Sequence, residues 1–394
     1  MKSLVKYLAV AIVFAVNTPL YLITRRTPRD PNLWVLGAWF GKEYADNPRY
    51  LAEYIRREHP DVKCVWLCTS VEAARLARSH GLPAFHIFGL RGYWYTMRAS
   101  VAFTCTGRFD INYFVRPPVV INLWHGIPLK KVAADDDITN IPLGKRLVFK
   151  VFPYFASLDL PVTVSSEREA TVMSSAFRIP RSKVFVTGSP RNDVLTRRPM
   201  RRAGIKIAYL PTHRGEGAVD IHPLSDLDID AAEKVLAALD AELLIKVHHY
   251  HADHFSMIES DRVHLVGGPD IGHDTYGFLD DVDVLITDYS SVYLDFLLTD
   301  RPVVFAPFDI ESYTVEDRRF NWPYESVTPG PKCSTWAEVF DAISGLARGF
   351  DDWVEARARV RSLFHEHENG GNSARVYELG RSLLEHSKTP RHGE

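Results

Sequence analysis

From Leu33 onward, short apolar runs alternate with amphipathic stretches. Leu33–Leu36, Cys64–Leu67, Ala84–Ile87, Val101–Thr104, Val119–Leu123, Val162–Val164 and Val184–Val186 read as strands. Each is too short and too uniformly apolar for a surface helix. Helical spacing appears between some of them, at Pro48–Arg57 and Val71–Ser79. Such β/α alternation predicts a parallel sheet covered on both faces. A stretch rich in arginine, Arg197-Arg198-Pro199-Met200-Arg201-Arg202, then reads as a solvated linker. A second series follows, with strands at Ile205–Leu210, Leu243–Val247, Val263–Val266, Val282–Thr287 and Val303–Ala306 and a helix at Ala231–Leu239. Helices Trp336–Leu346 and Asp352–His386 close the chain, the latter broken at Asn369-Gly370-Gly371. The expected division is a membrane-associating segment at 1–28, one Rossmann-like domain at 29–198 and a second at 199–394.

The first segment differs from the rest. Leu4 to Ile23 is mostly apolar, with Lys2 before it and Arg25, Arg26 and Arg29 after it. Asn17, Thr18 and Pro19 interrupt it. A spanning helix needs roughly 20 apolar residues, and the uninterrupted part, Tyr7–Val16, is shorter. Three readings fit: a segment lying at the membrane interface, a single span, or a cleaved or buried segment. The flanking basic and aromatic residues favour the interface.

Composition narrows the classes further. Hydrophobic residues make up 46% of the 394 and aromatics 12%, which excludes a disordered chain. A net charge of −2 argues against a nucleic-acid binder. Four cysteines are too few for a disulfide scaffold and fit no zinc spacing, so reduced, mostly buried thiols are expected. The run Asp135-Asp136-Asp137 reads as a solvated acidic loop, and no metal is expected.

Four segments carry candidate chemistry, each just past a strand, where α/β sheets place their ligands. In Trp124-His125-Gly126-Ile127-Pro128-Leu129-Lys130-Lys131, the imidazole is a candidate base near neutral pH. Thr187-Gly188-Ser189-Pro190-Arg191-Asn192-Asp193 is a tight turn whose Arg191 is expected to face a cleft. Pro211-Thr212-His213-Arg214 crowds hydroxyl, imidazole and guanidinium, a set suited to phosphate. The later strand ends in Lys246-Val247-His248-His249. In Thr287-Asp288-Tyr289-Ser290-Ser291, a helix starting near Ser290 would offer hydroxyls and free N–H groups to an anion, with Asp288 or Ser290 as its cap. Asp295, one turn on, would face inward.

Taken together, these ordered segments resemble the CDP-glycerol glycerophosphotransferase family, which builds teichoic-acid-type poly(polyol phosphate) chains. Arg301-Pro302-Val303, Pro307-Phe308-Asp309, Tyr313 and Gly370 to Val376 extend the resemblance. It implies a GT-B type α/β fold, two Rossmann-like domains facing across a cleft, with the last helix crossing back. It also implies transfer from a CDP-polyol donor without a metal or other cofactor, to a lipid-linked or glycan acceptor at the cytoplasmic face of the membrane. By position, His125 matches the catalytic histidine. Thr212, Arg214, His248, Asp288, Ser290 and Ser291 fall at donor-binding positions. Trp124, Gly126, Lys130, Arg191, Asn192, Asp193 and Asp295 are candidate acceptor or cleft residues. Three positions depart from the family pattern: Ile127 replaces a threonine, His213 replaces an aromatic, and Asn369-Gly370-Gly371 replaces an aspartate–glycine pair. A nucleotide-sugar transferase of the same build and a non-catalytic membrane-associated module are the alternatives. Oligomerisation is left open.

Overall fold

The computed structural model describes residues 2–24, 26–116, 118–136, 160–212, 224, 226–246, 260–267, 274–308 and 319–388. The chain divides into two compact units, Met1–His125 with Ala133–Asp193 and Asn369–Glu394, and Gly126–Val132 with Val194–Glu368. The chain leaves the first unit directly after His125, and its final segment belongs to that unit again.

The first unit is built on seven parallel strands: β1 (Asp30–Leu36), β2 (Lys63–Cys68), β3 (Ala84–His86), β4 (Ala99–Thr104), β5 (Val119–Asn122), β6 (Val162–Val164) and β7 (Val184–Val186). Their order is β3-β2-β1-β4-β5-β6-β7. Every residue of β4 is buried, as expected for a sheet covered on both faces. Helices α1 (Lys2–Thr24), α2 (Asp46–Glu58), α3 (Val71–Ser79), α4 (Leu90–Arg98) and α5 (Glu167–Phe177) accompany the strands. Ser166 caps α5 through the N–H of Glu169, whose carboxylate accepts from the N–H of Ser165, a variant of the capping box.

The second unit carries β8 (Ile205–Leu210), β9 (Ala241–Ile245), β10 (Val263–Leu265), β11 (Val284–Thr287) and β12 (Val303–Phe305), all parallel, in the order β10-β9-β8-β11-β12. Its helices are α6 (Ile229–Ala238), α7 (Thr275–Asp281), α8 (Val292–Phe296), α9 (Tyr324–Val327), α10 (Trp336–Ala347) and α11 (Val354–Phe364). The last helix, α12 (Asn372–Lys388), packs into the first unit's core through Val376, Tyr377 and Leu384. Gly380 permits this close approach, since a Cβ there would lie 2.8 Å from the Phe103 ring.

Two expectations are corrected by packing. The arginine-rich stretch is not a solvated linker. Arg198 and Arg201 each place a guanidinium nitrogen 2.7 Å from the fully buried carboxylate of Asp283, and Arg197 pairs with Glu368. Asp136 is buried rather than solvated, and Asp135 pairs with Arg178 at 3.2 Å. Among the described residues, no helix is long and apolar enough to cross a membrane. All four cysteines are free and buried, as composition suggested.

Candidate active site

In each sheet the strand order reverses beside its first strand, between β1 and β4 and between β8 and β11. Such switch points open a crevice beyond the carboxyl ends of the strands. The candidate residues gather there.

In the first unit, three loops meet. The loop after β1 brings Trp39, the loop after β4 brings Cys105 and Asp110, and the loop after β5 brings Trp124 and His125. His125 lies half-buried between two indoles, 3.9 Å from Trp124 and 4.9 Å from Trp39 between ring centroids. Its Nδ1 is 3.0 Å from the carbonyl oxygen of Cys105. A carbonyl only accepts, so Nδ1 carries the proton and Nε2 keeps its lone pair. Burial pushes the imidazole below its ordinary value, while the Cys105 carbonyl and the Asp46 carboxylate pull it back up. The ring is thereby held neutral near pH 7.

The loop is fixed by side chains that sequence reasoning missed. Asn47, at the start of α2, donates to the carbonyls of Leu123 and Trp124 and accepts from the N–H of Arg191. Trp124 adopts a left-handed backbone (φ 54°), as do Trp39 and Phe40. For residues of this size that conformation is strained, and strain of this kind gathers at functional sites. Asp110 is fully buried and accepts from the N–H groups of Phe40, Cys105 and Thr106 and from the Thr106 hydroxyl. Burial raises its carboxyl above the ordinary value against these donors. Gly37 is required beside it, because a Cβ would fall 2.1 Å from the Asp110 carbonyl oxygen.

The turn after β7 serves the scaffold. Arg191 does not open outward but turns inward, binding Asp46 at 2.8 Å and the His125 carbonyl at 2.8 Å. Buried charge demands such pairing. Asn192 is buried, and its N–H donates to the Ser189 carbonyl. The Asp193 carboxylate accepts from the N–H groups of Asn372 and Ser373 and so caps α12. A carboxylate belongs at that positive end.

In the second unit, Asp288 joins the two loops at the switch point. Its Oδ1 accepts from the N–H and the hydroxyl of Thr212, at 2.8 and 2.6 Å, and from the N–H of Tyr289. Its carbonyl accepts from the Tyr324 hydroxyl. Asp288 is fully buried and does not cap the following helix. That helix, α8, starts after Ser291 and spans five residues, with no side-chain cap. The helix dipole available to an anion is therefore smaller than the sequence suggests. Ser290 and Ser291 are half-buried. Asp295 is buried and accepts from the Tyr276 hydroxyl at 2.7 Å. His365 fixes the same helix by donating from Nε2 to the Leu294 carbonyl at 2.8 Å. Gly126 and Lys130 lie in the segment belonging to this unit, where Lys130 forms a β-bridge with Phe320 and Asn321 donates to the Pro128 and Lys130 carbonyls. Arg214 and His248 lie outside the described residues, as does His213. Among the described residues there is no cluster of three or more ligand-type side chains that could hold a metal.

Two parallel α/β sheets, each with polar loops at its switch point, make a GT-B-like build. A family model for CDP-Glycerol:Poly(glycerophosphate) glycerophosphotransferase matches residues 20–379. The chain belongs to that family. It is 27% identical over 374 residues to a teichoic acid glycerol-phosphate transferase of Staphylococcus aureus, covering 88% of this chain and 92% of that protein. It is 24% identical over 395 residues to a teichoic acid ribitol-phosphate primase of Bacillus spizizenii, covering 93% and 95%. Its fold is similar to that of the wall teichoic acid polymerase TagF, with a TM-score of 0.73 at 20% identity over 98% of both chains.

Proposed function

We propose that the protein transfers a polyol phosphate, glycerol phosphate in the first instance, from a CDP-polyol to a hydroxyl of a lipid-linked or glycan acceptor. The acceptor oxygen attacks the phosphorus that bears the polyol. A new P–O bond forms, the bond from that phosphorus to the bridging pyrophosphate oxygen breaks, and CMP leaves. The acceptor proton passes to Nε2 of His125. Arg214, His248 and the Ser290/Ser291 hydroxyls stabilise the donor phosphates, with Thr212 held in place by Asp288. Positioning and charge stabilisation supply most of the rate in phosphoryl transfer, and no metal is assigned to the reaction.

The observation that carries this reading is the 3.0 Å contact between His125 Nδ1 and the Cys105 carbonyl oxygen. The Cys105 carbonyl occupies Nδ1 and leaves Nε2 as an acceptor on a neutral ring, which is what a general base requires. The mostly apolar α1, with Ile12, Val16 and Ile23 exposed, supports a place on the cytoplasmic face of the membrane, lying along the surface. Incubation with CDP-glycerol and a synthetic lipid-linked acceptor tests the reading. Acceptor extended by one or more glycerol phosphates is expected, and the product length distinguishes single from repeated addition. An unextended acceptor with intact donor would overturn it.

A further inference from the structure

The helix α4 packs on the first unit through the buried Gly92 and Thr96 and through the half-buried Tyr95, which stacks on Phe85. Gly92 lies so close to the preceding turn that a Cβ would fall 2.2 Å from the His86 carbonyl oxygen. The opposite face carries Leu90, 92% exposed, and Trp94, 56% exposed, one turn apart. Phe88, just ahead of the helix, is also exposed. Arg91 and Arg98 flank this apolar pair, with the Arg98 guanidinium over the Trp94 ring, and α4 contains no acidic residue. An exposed leucine and tryptophan one turn apart, with Phe88 beside them and arginines at the rim, mark an interaction surface.

The surroundings identify it. The carboxyl end of α4 and the segment that follows α1 are tied together. Arg98 donates to the Pro28 carbonyl and Arg29 donates to the Ala99 carbonyl, both at 2.7 Å. Thr24, the last residue of α1, accepts from the N–H of Arg116. The exposed apolar side chains of α1 and those of α4 thus belong to elements anchored at one place on the first unit. Tryptophan, leucine and arginine interleaved on an exposed helix match the boundary between lipid headgroups and acyl chains.

We infer that the outer face of α4 docks onto an anionic lipid bilayer as a second contact beside α1, with Leu90 and Trp94 entering the interface and Arg91 meeting acidic headgroups. This inference rests on the membrane reading given above. It adds a surface on the folded body itself, which fixes how the first unit is oriented toward lipid rather than merely tethered to it.

Vesicle co-sedimentation of the full chain tests it, on phosphatidylcholine alone and on phosphatidylcholine mixed with phosphatidylglycerol. The variant carrying Leu90→Glu and Trp94→Glu should partition roughly tenfold or more weakly on the mixed vesicles. Both side chains are exposed, so its thermal midpoint should match the parent. Arg91→Gln should lose about fivefold on the mixed vesicles and nothing on neutral ones. Parent-like partitioning of the double variant overturns this inference while leaving attachment through α1 standing. Failure of the parent chain to bind either vesicle overturns the membrane reading itself. A concentration-dependent dimer that the double variant abolishes, with vesicle binding kept, assigns the face to a second copy of the chain and overturns the lipid assignment.

Discussion

The Nδ1 of His125 lies 3.0 Å from the carbonyl oxygen of Cys105, and this contact decides which ring nitrogen can take a proton. With Nε2 left open, replacing the ring would remove the proposed base and leave the proposed donor loops of the second unit in place. His125→Ala should lower turnover by about 10²–10⁴-fold, the usual worth of general-base help. CMP release and CDP-glycerol affinity, measured separately, check this. Near-parental CMP release would remove His125 from the mechanism.

The same ring sets a pH dependence. Burial lowers its value below the ordinary 6.5, so the base is neutral and active above that pH. Activity should fall on an acid limb whose midpoint lies below 6.5 and that reports protonation of His125. A profile of kcat/KM against pH measures it. An acid limb centred above 6.5 contradicts the desolvated environment described for the ring.

His365 offers a stability test with the same sign. It is buried, and burial lowers its value below 6.5 against the pull of the Asp295 carboxylate. The unfolded chain then binds the proton more readily than the native one. Its contribution is fully present above about pH 6.5 and is lost as pH falls toward the native value. The denaturant midpoint should drop as pH falls below 6.5, and His365→Gln should flatten that drop. An unchanged slope in the variant would mean that the ring binds its proton equally well in the native and unfolded states.

Asn47 holds three partners around the His125 loop. Asn47→Ala leaves buried carbonyl and N–H groups unpaired, at a cost of about 2–4 kcal/mol. It should lower both the thermal midpoint and kcat, with little change in donor affinity. A parental midpoint would show that the loop is held by other contacts.

Much of the architecture was legible because parallel strands buried on both faces are continuous apolar runs. Val162–Val164, Val184–Val186 and Ile205–Leu210 have the same bounds in sequence and structure. The helix α4 was missed because its apolar residues do not share one face: Leu90 and Trp94 lie outside while Tyr95 packs inward beside Gly92 and Thr96. The helix α5 carried a readable signal in Ser166 and Glu169, which form its capping arrangement. His125 could be singled out from its turn and its family motif. Its supports could not, since Asn47, Cys105 and Asp110 come from distant loops, and Cys105 acts through its backbone carbonyl. Arg191 and Asp288 look like ligand contacts in one dimension, yet each spends its charge on a partner inside the fold.

The donor is decided by offering the purified protein CDP-glycerol, CDP-ribitol and common UDP-sugars, each with a lipid-linked acceptor, and identifying the nucleotide released. CMP should come from a CDP-polyol, with the polyol phosphate on the acceptor and no UDP from any sugar donor. Release of UDP with a sugar transferred, and no CMP from either CDP-polyol, would contradict the proposed transfer.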